Sequence, residues 1–117
     1  MAFFKVALRP LGMLYVRDGR ASRREFWSYL LFVWLAALVL AMVLTATGKV
    51  LDFYVVGVLL EYLLLFSVLV RRLHDIGRSG WSLLIGVIPL VGLLGLVVWL
   101  ASPGDAGDNE FGPRPVV

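Results

Sequence analysis

The chain has 117 residues, of which 61% are hydrophobic and 16% are charged, whereas average soluble domains are roughly 45–50% apolar and about 25% charged. This composition excludes an ordinary soluble domain, and the length indicates one membrane domain over residues 1–117. The net charge of +3 and the separate basic groups exclude the long basic surface of a nucleic-acid-binding protein. The chain has no cysteine, so disulfide and thiolate chemistry are excluded as well.

The N-terminal residues 1–20 mix apolar and basic side chains. This pattern predicts a segment that lies in the membrane interface, as a helix broken near Pro10. A frayed terminus is the alternative. The sequence "SRRE" follows at Ser22, and it fits a capping box in which Ser22 and Glu25 satisfy each other's backbone N–H groups at a helix start.

Two apolar runs then predict membrane-spanning helices over residues 26–47 and 53–70, since about 20 apolar residues cross a bilayer. The first run carries no charge, and the second carries one carboxyl, Glu61. Gly48 is a candidate C-cap of the first helix. Asp52 is a candidate N-cap of the second.

A third uncharged run, residues 81–101, completes an all-α integral membrane fold with three transmembrane helices. Pro89 lies in the middle of this run and predicts a kink. The alternative is a re-entrant hairpin at Pro89 that returns the polar tail, residues 102–117, to the cytoplasm. The tail is rich in Gly, Pro and Asp, which is typical of turns or disorder.

The basic residues set the expected orientation, because cytoplasmic flanks of membrane spans are enriched in Lys and Arg. They lie mainly before the first span and after the second: Lys5, Arg9, Arg17, Arg20, Arg23 and Arg24, then Arg71, Arg72 and Arg78. This pattern predicts a cytoplasmic N-terminus and, with three spans, a tail on the outer side of the membrane.

The stretch "RRLHDIGRSGW" follows the second span, and its first half continues that helix to Asp75. Gly77 fits a C-cap and Ser79 the next N-cap. Arg71 and Arg72 are spaced to pair with Asp75 on the same helix. Glu25 can pair across with Arg71 or Arg72, and Asp75 with Arg23 or Arg24. We therefore predict a polar cluster on one membrane face, comprising Arg20, Arg24, Glu25, Arg71, Arg72, His74 and Asp75.

Two functions suit this cluster: a structural clasp, or a grip on anionic lipid headgroups, since arginine forks match carboxylates and phosphates. The single histidine has no second ligand set for a zinc site, so we expect neither metal nor cofactor. The pattern also lacks a nucleophile with a base and an orienting group, so we do not expect an enzyme.

Glu61 is the other candidate, because a carboxyl near the bilayer centre costs roughly 2.5–3.5 kcal/mol on insertion scales. Tyr54, about two turns earlier, shares its helix face and is a candidate hydrogen-bond donor to it. Glu61 and Tyr54 form either a proton or cation site, or a neutral acid bonded to a neighbouring helix or to a second copy of the chain.

Four motifs in this order resemble a family of small bacterial inner-membrane proteins, domain of unknown function 805: "GRASRREFW", "RRLHDIGRSGW", "IPLVG" and "GDNEFGP". The resemblance extends from Gly19 to Pro113 and implies a compact multi-pass protein of the bacterial plasma membrane, without implying a reaction. The matching positions are Arg20, Arg24, Glu25, Trp27, Arg71, Arg72, Leu73, His74, Asp75, Gly77, Ser79, Gly80, Trp81, Asn109, Phe111, Gly112 and Pro113. Glu61 is outside the family pattern.

These observations favour a non-enzymatic membrane protein that organises or regulates a membrane partner, as a homo-oligomer or with another protein. The polar cluster is its expected working surface, and the bilayer and anionic headgroups are its other expected contacts. The alternative is a small transporter or channel component that uses Glu61, with His74 as a proton acceptor on the cytoplasmic side.

Overall fold

The computed structural model describes the backbone of residues 2–116 and the side chains of residues 3–49 and 55–116. Its regular elements are helical, with α1 at Ala2–Leu8, α2 at Arg23–Ala46, α3 at Val50–Asp75 and α4 at Val91–Ala101. Two 3-10 helices lie between them, at Arg9–Met13 and Gly80–Val87. Pro10 stands in the first of these, directly after α1, where the sequence predicts a helix break. The all-α class is therefore confirmed.

Helix α2 begins and ends where local chemistry predicts. The Ser22 hydroxyl accepts a hydrogen bond from the Glu25 backbone N–H at 3.1 Å. At the other end Gly48 adopts a φ of 77°, and the Lys49 N–H donates to the Leu44 carbonyl at 2.8 Å, which closes the helix end. The start of α3 differs from its prediction, since this helix begins at Val50 and not after Asp52; the Asp52 side chain is outside the described residues.

Helices α2 and α3 run antiparallel, because the start of α2 contacts the end of α3. The Tyr29 hydroxyl, near the start of α2, donates to the Leu64 carbonyl at 2.9 Å. The buried apolar core lies at this end of the pair and includes Phe26, Val68, Leu73 and Leu100. We call this end, where α2 starts and α3 finishes, the charged end.

Away from the charged end, the helices expose apolar side chains to their surroundings. On α2, Leu38, Val39 and Met42 are 57%, 61% and 66% exposed. Among the described residues, one helix, Arg23–Ala46, is both long and apolar enough to cross a bilayer. Charged groups are buried while large apolar ones are exposed, which is the reverse of a soluble protein and indicates a lipid-facing surface.

The third apolar run does not form the continuous helix predicted over residues 81–101. The 3-10 helix Gly80–Val87 and helix α4 pack against each other, and the chain reverses at Pro89–Leu90. Both ends of this hairpin lie at the charged end, where the Arg78 guanidinium covers the Trp99 ring at 3.8 Å. The tail therefore emerges beside the "RRLHD" motif, and the prediction that a membrane separates the two is wrong. The re-entrant alternative agrees with this path.

The reversal is made by a tight three-residue turn. The Val91 N–H donates to the Pro89 carbonyl at 2.7 Å. The central residue, Leu90, has φ 61° and ψ −65°. A turn with these angles is rare and strained for a residue that has a side chain. Pro89 thus takes part in a reversal of the chain, and not in the kink of a continuous helix.

Candidate functional site: a buried polar cluster at the charged end

The motif that carries the cluster is held by the way α3 ends. Gly77 adopts a φ of 78°, and its N–H donates to the His74 carbonyl at 3.0 Å. The next N–H, of Arg78, donates to the Leu73 carbonyl at 2.9 Å. This paired arrangement stops the helix with a left-handed residue, as predicted for Gly77. It leaves the last turn of α3 facing the start of α2.

Glu25 and Arg71 form the first ion pair of the cluster, as one of the predicted pairings had it. Arg71 Nη1 donates to Glu25 Oε1 at 2.9 Å, and their side chains are 1% and 0% exposed. Arg9 stands 3.8 Å from the other carboxylate oxygen. The Glu25 carboxylate is turned towards Arg71. Of the two capping-box hydrogen bonds, the one from the Glu25 N–H to the Ser22 hydroxyl forms. The pair fastens α2 to α3.

Asp75 forms the centre of a second group. It accepts from Arg20 Nε at 3.0 Å and from Arg72 Nη1 at 2.5 Å. The pair between Arg72 and Asp75 was predicted from helical spacing, but the expected pairs of Asp75 with Arg23 or Arg24 were wrong. Arg24 is exposed and lies outside the buried group.

Arg72 is fully buried and binds the base of the hairpin. Its Nε donates to the Leu100 carbonyl at 3.0 Å, and its Nη2 donates to the Ser102 carbonyl. Burial lowers the pKa of Arg72 from its usual value, while the charge and hydrogen bond of Asp75 act in the opposite direction. Carbonyls at a helix C-terminus carry partial negative charge, so Arg72 also stabilises the end of α4.

Arg20 connects the tail to this group. Its guanidinium donates to the carbonyls of Gly107 at 2.6 Å and Asp105 at 2.8 Å. The Asp105 N–H in turn donates to the Asp75 carbonyl at 2.7 Å. The tail is therefore ordered by contacts with the cluster, and these contacts were not predicted from the sequence.

His74 is buried beneath the tail. Its Nδ1 lies 2.9 Å from the Gly19 carbonyl, which can only accept, so this nitrogen carries the proton. The Phe111 ring stacks on the imidazole with centroids 4.1 Å apart, and the Asn109 amide donates to the His74 carbonyl at 2.9 Å. Asn109 and Phe111 belong to the tail motif "GDNEFGP", which was the one sequence signal for these contacts.

Glu61 is separate from the cluster, because ten residues of helix place it about 15 Å from Arg71 along α3. It is half-buried and borders two grooves. One groove, of about 340 Å³, lies between α2 and α3, and includes Ala37 and Gly57. The other, of about 660 Å³, lies between α3 and the hairpin. The Tyr54 side chain is outside the described residues.

Most hydrogen-bond donors of the cluster bind carboxylates and carbonyls of the same chain. Among the described side chains, no group of three His, Asp or Glu is placed to hold a metal ion. Three buried polar atoms lack a hydrogen-bond partner within the described residues: Glu25 Oε2, Arg71 Nε and Arg71 Nη2.

Comparison with known proteins identifies a family and relatives of this chain. A family model described as "Protein of unknown function (DUF805)" matches residues 14–113, which include the cluster and the hairpin. The chain belongs to this family. It is 35% identical over 103 residues to inner membrane protein YhaH of Escherichia coli K12, with 83% of this chain and 84% of the relative covered. It is 32% identical over 100 residues to inner membrane protein YhaI of the same strain, with 84% of each chain covered.

No solved structure matches the chain. The family, its inner-membrane relatives and the buried charged side chains together indicate an inner-membrane protein. This agrees with the resemblance noted in the sequence. The match includes all the residues of the buried cluster and the tail residues that bind it.

Proposed function

We propose that this family member is a non-enzymatic membrane protein that organises or regulates a membrane partner, and that the partner binds the groove between α3 and the hairpin. Glu61 and Leu65 of α3 line this groove on one side, and Gly86 and Val87 of the hairpin line it on the other. The partner in this proposal is a transmembrane helix that carries a hydrogen-bond donor.

The exposed tip of the hairpin carries the proposal. Helix α4 has 11 residues, which reach about 16 Å, or roughly half of a 30 Å hydrocarbon core. At the tip, Val87, Leu90 and Val91 are 76%, 71% and 73% exposed. Non-helical backbone at such depth occurs where protein or a water-filled cavity covers it, and not against lipid. A partner protein supplies this cover.

The groove also indicates what the partner offers. The Glu61 carboxyl is costly in lipid, and a donor from a neighbouring helix lowers that cost. Gly86 has no side chain and permits close helix approach. A partner helix with a small residue and a hydroxyl, amide or basic side chain near the membrane midplane fits both features.

The polar cluster serves this function indirectly. Arg72 holds the base of the hairpin and Arg20 holds the tail, so the cluster fixes the position of the hairpin, which forms one wall of the groove. These groups make internal bonds, which supports a structural and not a catalytic role. The sequence favours the polar cluster as the surface that contacts a partner. This proposal instead places the partner contact at the groove between α3 and the hairpin.

Photo-crosslinking in living cells tests the partner. A photoreactive residue at Val87 should give a discrete protein adduct, and Glu61→Leu should abolish it. The same group at Val39 of α2, which is also exposed, is the control and should give lipid adducts. An adduct of twice the chain's mass would identify the partner as a second copy. Lipid adducts alone at Val87 would refute the proposal.

We also propose that both termini are cytoplasmic. The basic residues cluster at the charged end, and cytoplasmic flanks are enriched in such residues. The tail emerges at that same end through the contact of Asp105 with Asp75. Reporters that are active on only one side of the membrane, fused after residue 117, should give a cytoplasmic signal. A periplasmic signal would contradict the re-entrant hairpin.

Transport of protons or cations through Glu61 is the second candidate, because this one carboxyl borders both grooves. In reconstituted vesicles, Glu61→Gln should then abolish a pH-dependent flux that the wild-type protein supports. Equal flux for the two proteins, or none for the wild type, would exclude this candidate and leave the partner proposal standing.

A further inference from the structure

A cavity of about 350 Å³ lies between the N-terminal segment and the tail, and Arg71 is one of its lining residues. Four arginines line it, together with the single acid Asp18: Arg9, Arg20, Arg71 and Arg114. Asp75 pairs with both Arg20 and Arg72, and Glu25 lies beside both Arg71 and Arg9. Five arginines around the cavity and its ion pairs therefore face three acids, which leaves an excess of two positive charges: Arg9, Arg20, Arg71, Arg72 and Arg114 against Asp18, Glu25 and Asp75.

Arg71 gives this cavity a specific chemistry. Its side chain is 1% exposed, and its Nη1 is occupied by Glu25. Its Nε and Nη2 have no partner among the described residues. These two atoms form one edge of the planar guanidinium, with parallel N–H groups. That edge matches two oxygens of a carboxylate or phosphate.

We propose that this cavity binds a phosphate-bearing anion, with two oxygens on the free edge of Arg71 and the remaining charge neutralised by Arg9 and Arg114. Buried donors without a partner are costly in a folded protein, and a bound oxyanion satisfies both at once. Tetrahedral phosphate also leaves oxygens for the two outer arginines. This site is independent of the proposed partner groove.

The walls of the cavity suit either source of the phosphate. Met13, Pro113 and Val116 supply apolar contact. The N-terminal segment beside the cavity exposes Phe3 and Phe4, 47% and 61% exposed, as an interfacial segment does. A phospholipid headgroup would arrive from this side, whereas free phosphate would enter from water.

Titration of the purified full-length protein in a neutral detergent tests the site. The probes are inorganic phosphate, short-chain phosphatidylglycerol and short-chain phosphatidylcholine. We expect saturable binding of at least one of the first two. Binding should weaken about tenfold or more in Arg9→Gln and in Arg114→Gln, since each loses a charge-assisted bond. Arg17→Gln removes the same charge outside the cavity and should bind as the wild type does.

The probes also identify the source. Saturable binding of inorganic phosphate assigns a free phosphate compound, and binding of phosphatidylglycerol alone assigns a lipid headgroup. Arg71→Lys keeps the charge beside Glu25 but lacks the fork, so a folded variant should lose binding. If Arg71→Lys does not fold, the binding measured for Arg9→Gln and Arg114→Gln decides whether the proposal stands. Binding of neither anion, or an equal loss in Arg17→Gln, would overturn the proposal.

Discussion

The close packing of the two hairpin arms is tested most sharply by adding a single methyl group at Gly92. This residue lies in the first turn of α4 and is buried. A Cβ there would stand 1.9 Å from the Ile85 carbonyl oxygen and 2.8 Å from Ile88 Cβ. The oxygen belongs to the backbone of the facing 3-10 helix and cannot rotate away. Gly92→Ala must therefore separate the two arms of the hairpin.

The expected magnitude follows from two opposing effects. Overpacking in a close contact costs roughly 1–3 kcal/mol, and a clash with backbone belongs at the upper end. Alanine gains up to about 1 kcal/mol over glycine in helix propensity. The net result for Gly92→Ala is a loss of about 2 kcal/mol in the free energy of unfolding.

Gly95→Ala is the matched control on the same helix. Its Cβ would lie 3.7 Å from Ile85 Cδ1, an ordinary contact. Only the propensity gain then remains, and stability should rise by up to about 1 kcal/mol. The two variants thus have opposite signs, although the chemical change is identical.

Thermal unfolding in detergent, followed by tryptophan fluorescence, measures both variants. Trp99 is a suitable probe because it lies under Arg78 at the base of the hairpin. We expect Gly92→Ala to lower Tm and Gly95→Ala to raise it or leave it unchanged. A wild-type or higher Tm for Gly92→Ala would refute the close approach of the two arms.

Three further predictions concern the charged end and the turn. Arg72→Gln should lower the free energy of unfolding by roughly 3–5 kcal/mol because it breaks a buried ion pair, whereas Arg78→Gln loses a cation–π contact of roughly 0.5–1 kcal/mol; similar Tm losses would contradict this ranking. A double-mutant cycle of Glu25→Gln and Arg71→Gln in chemical unfolding should give a coupling free energy of roughly 0.5–3 kcal/mol, and additive effects would exclude the direct pair. Leu90→Gly should keep or raise Tm by relieving the positive φ, so a clear fall would argue against the strained turn.

The buried charges hold together four parts of the chain: the start of α2, the end of α3, the base of the hairpin and the tail. Replacing a buried ion pair by apolar residues is often neutral for stability, but removing one partner is strongly destabilising. The cluster therefore contributes mainly the correct placement of the hairpin and tail. This accounts for the presence of several arginines where a membrane protein needs a unique arrangement of short elements.

Local chemistry in the sequence determined much of the fold. Apolar runs of sufficient length predicted α2 and α3, because lipid requires the backbone to satisfy its own hydrogen bonds. Ser22, Gly48 and Gly77 predicted helix ends, because capping depends on one side chain or on one positive φ. The spacing of Arg72 and Asp75 likewise predicted their pairing within one helix.

Tertiary structure alone decided the path of the third run and the partners of the charges. An apolar run of about 21 residues suits one spanning helix or two half-depth arms equally well, and the choice depends on contacts of Arg72 and Arg78 at the hairpin base. Asp75 pairs with Arg20 and not with Arg23 or Arg24, and carbonyls of the distant tail accept from the same Arg20 guanidinium. Pairings over long sequence distances depend on how whole elements pack, and no local pattern encodes that geometry.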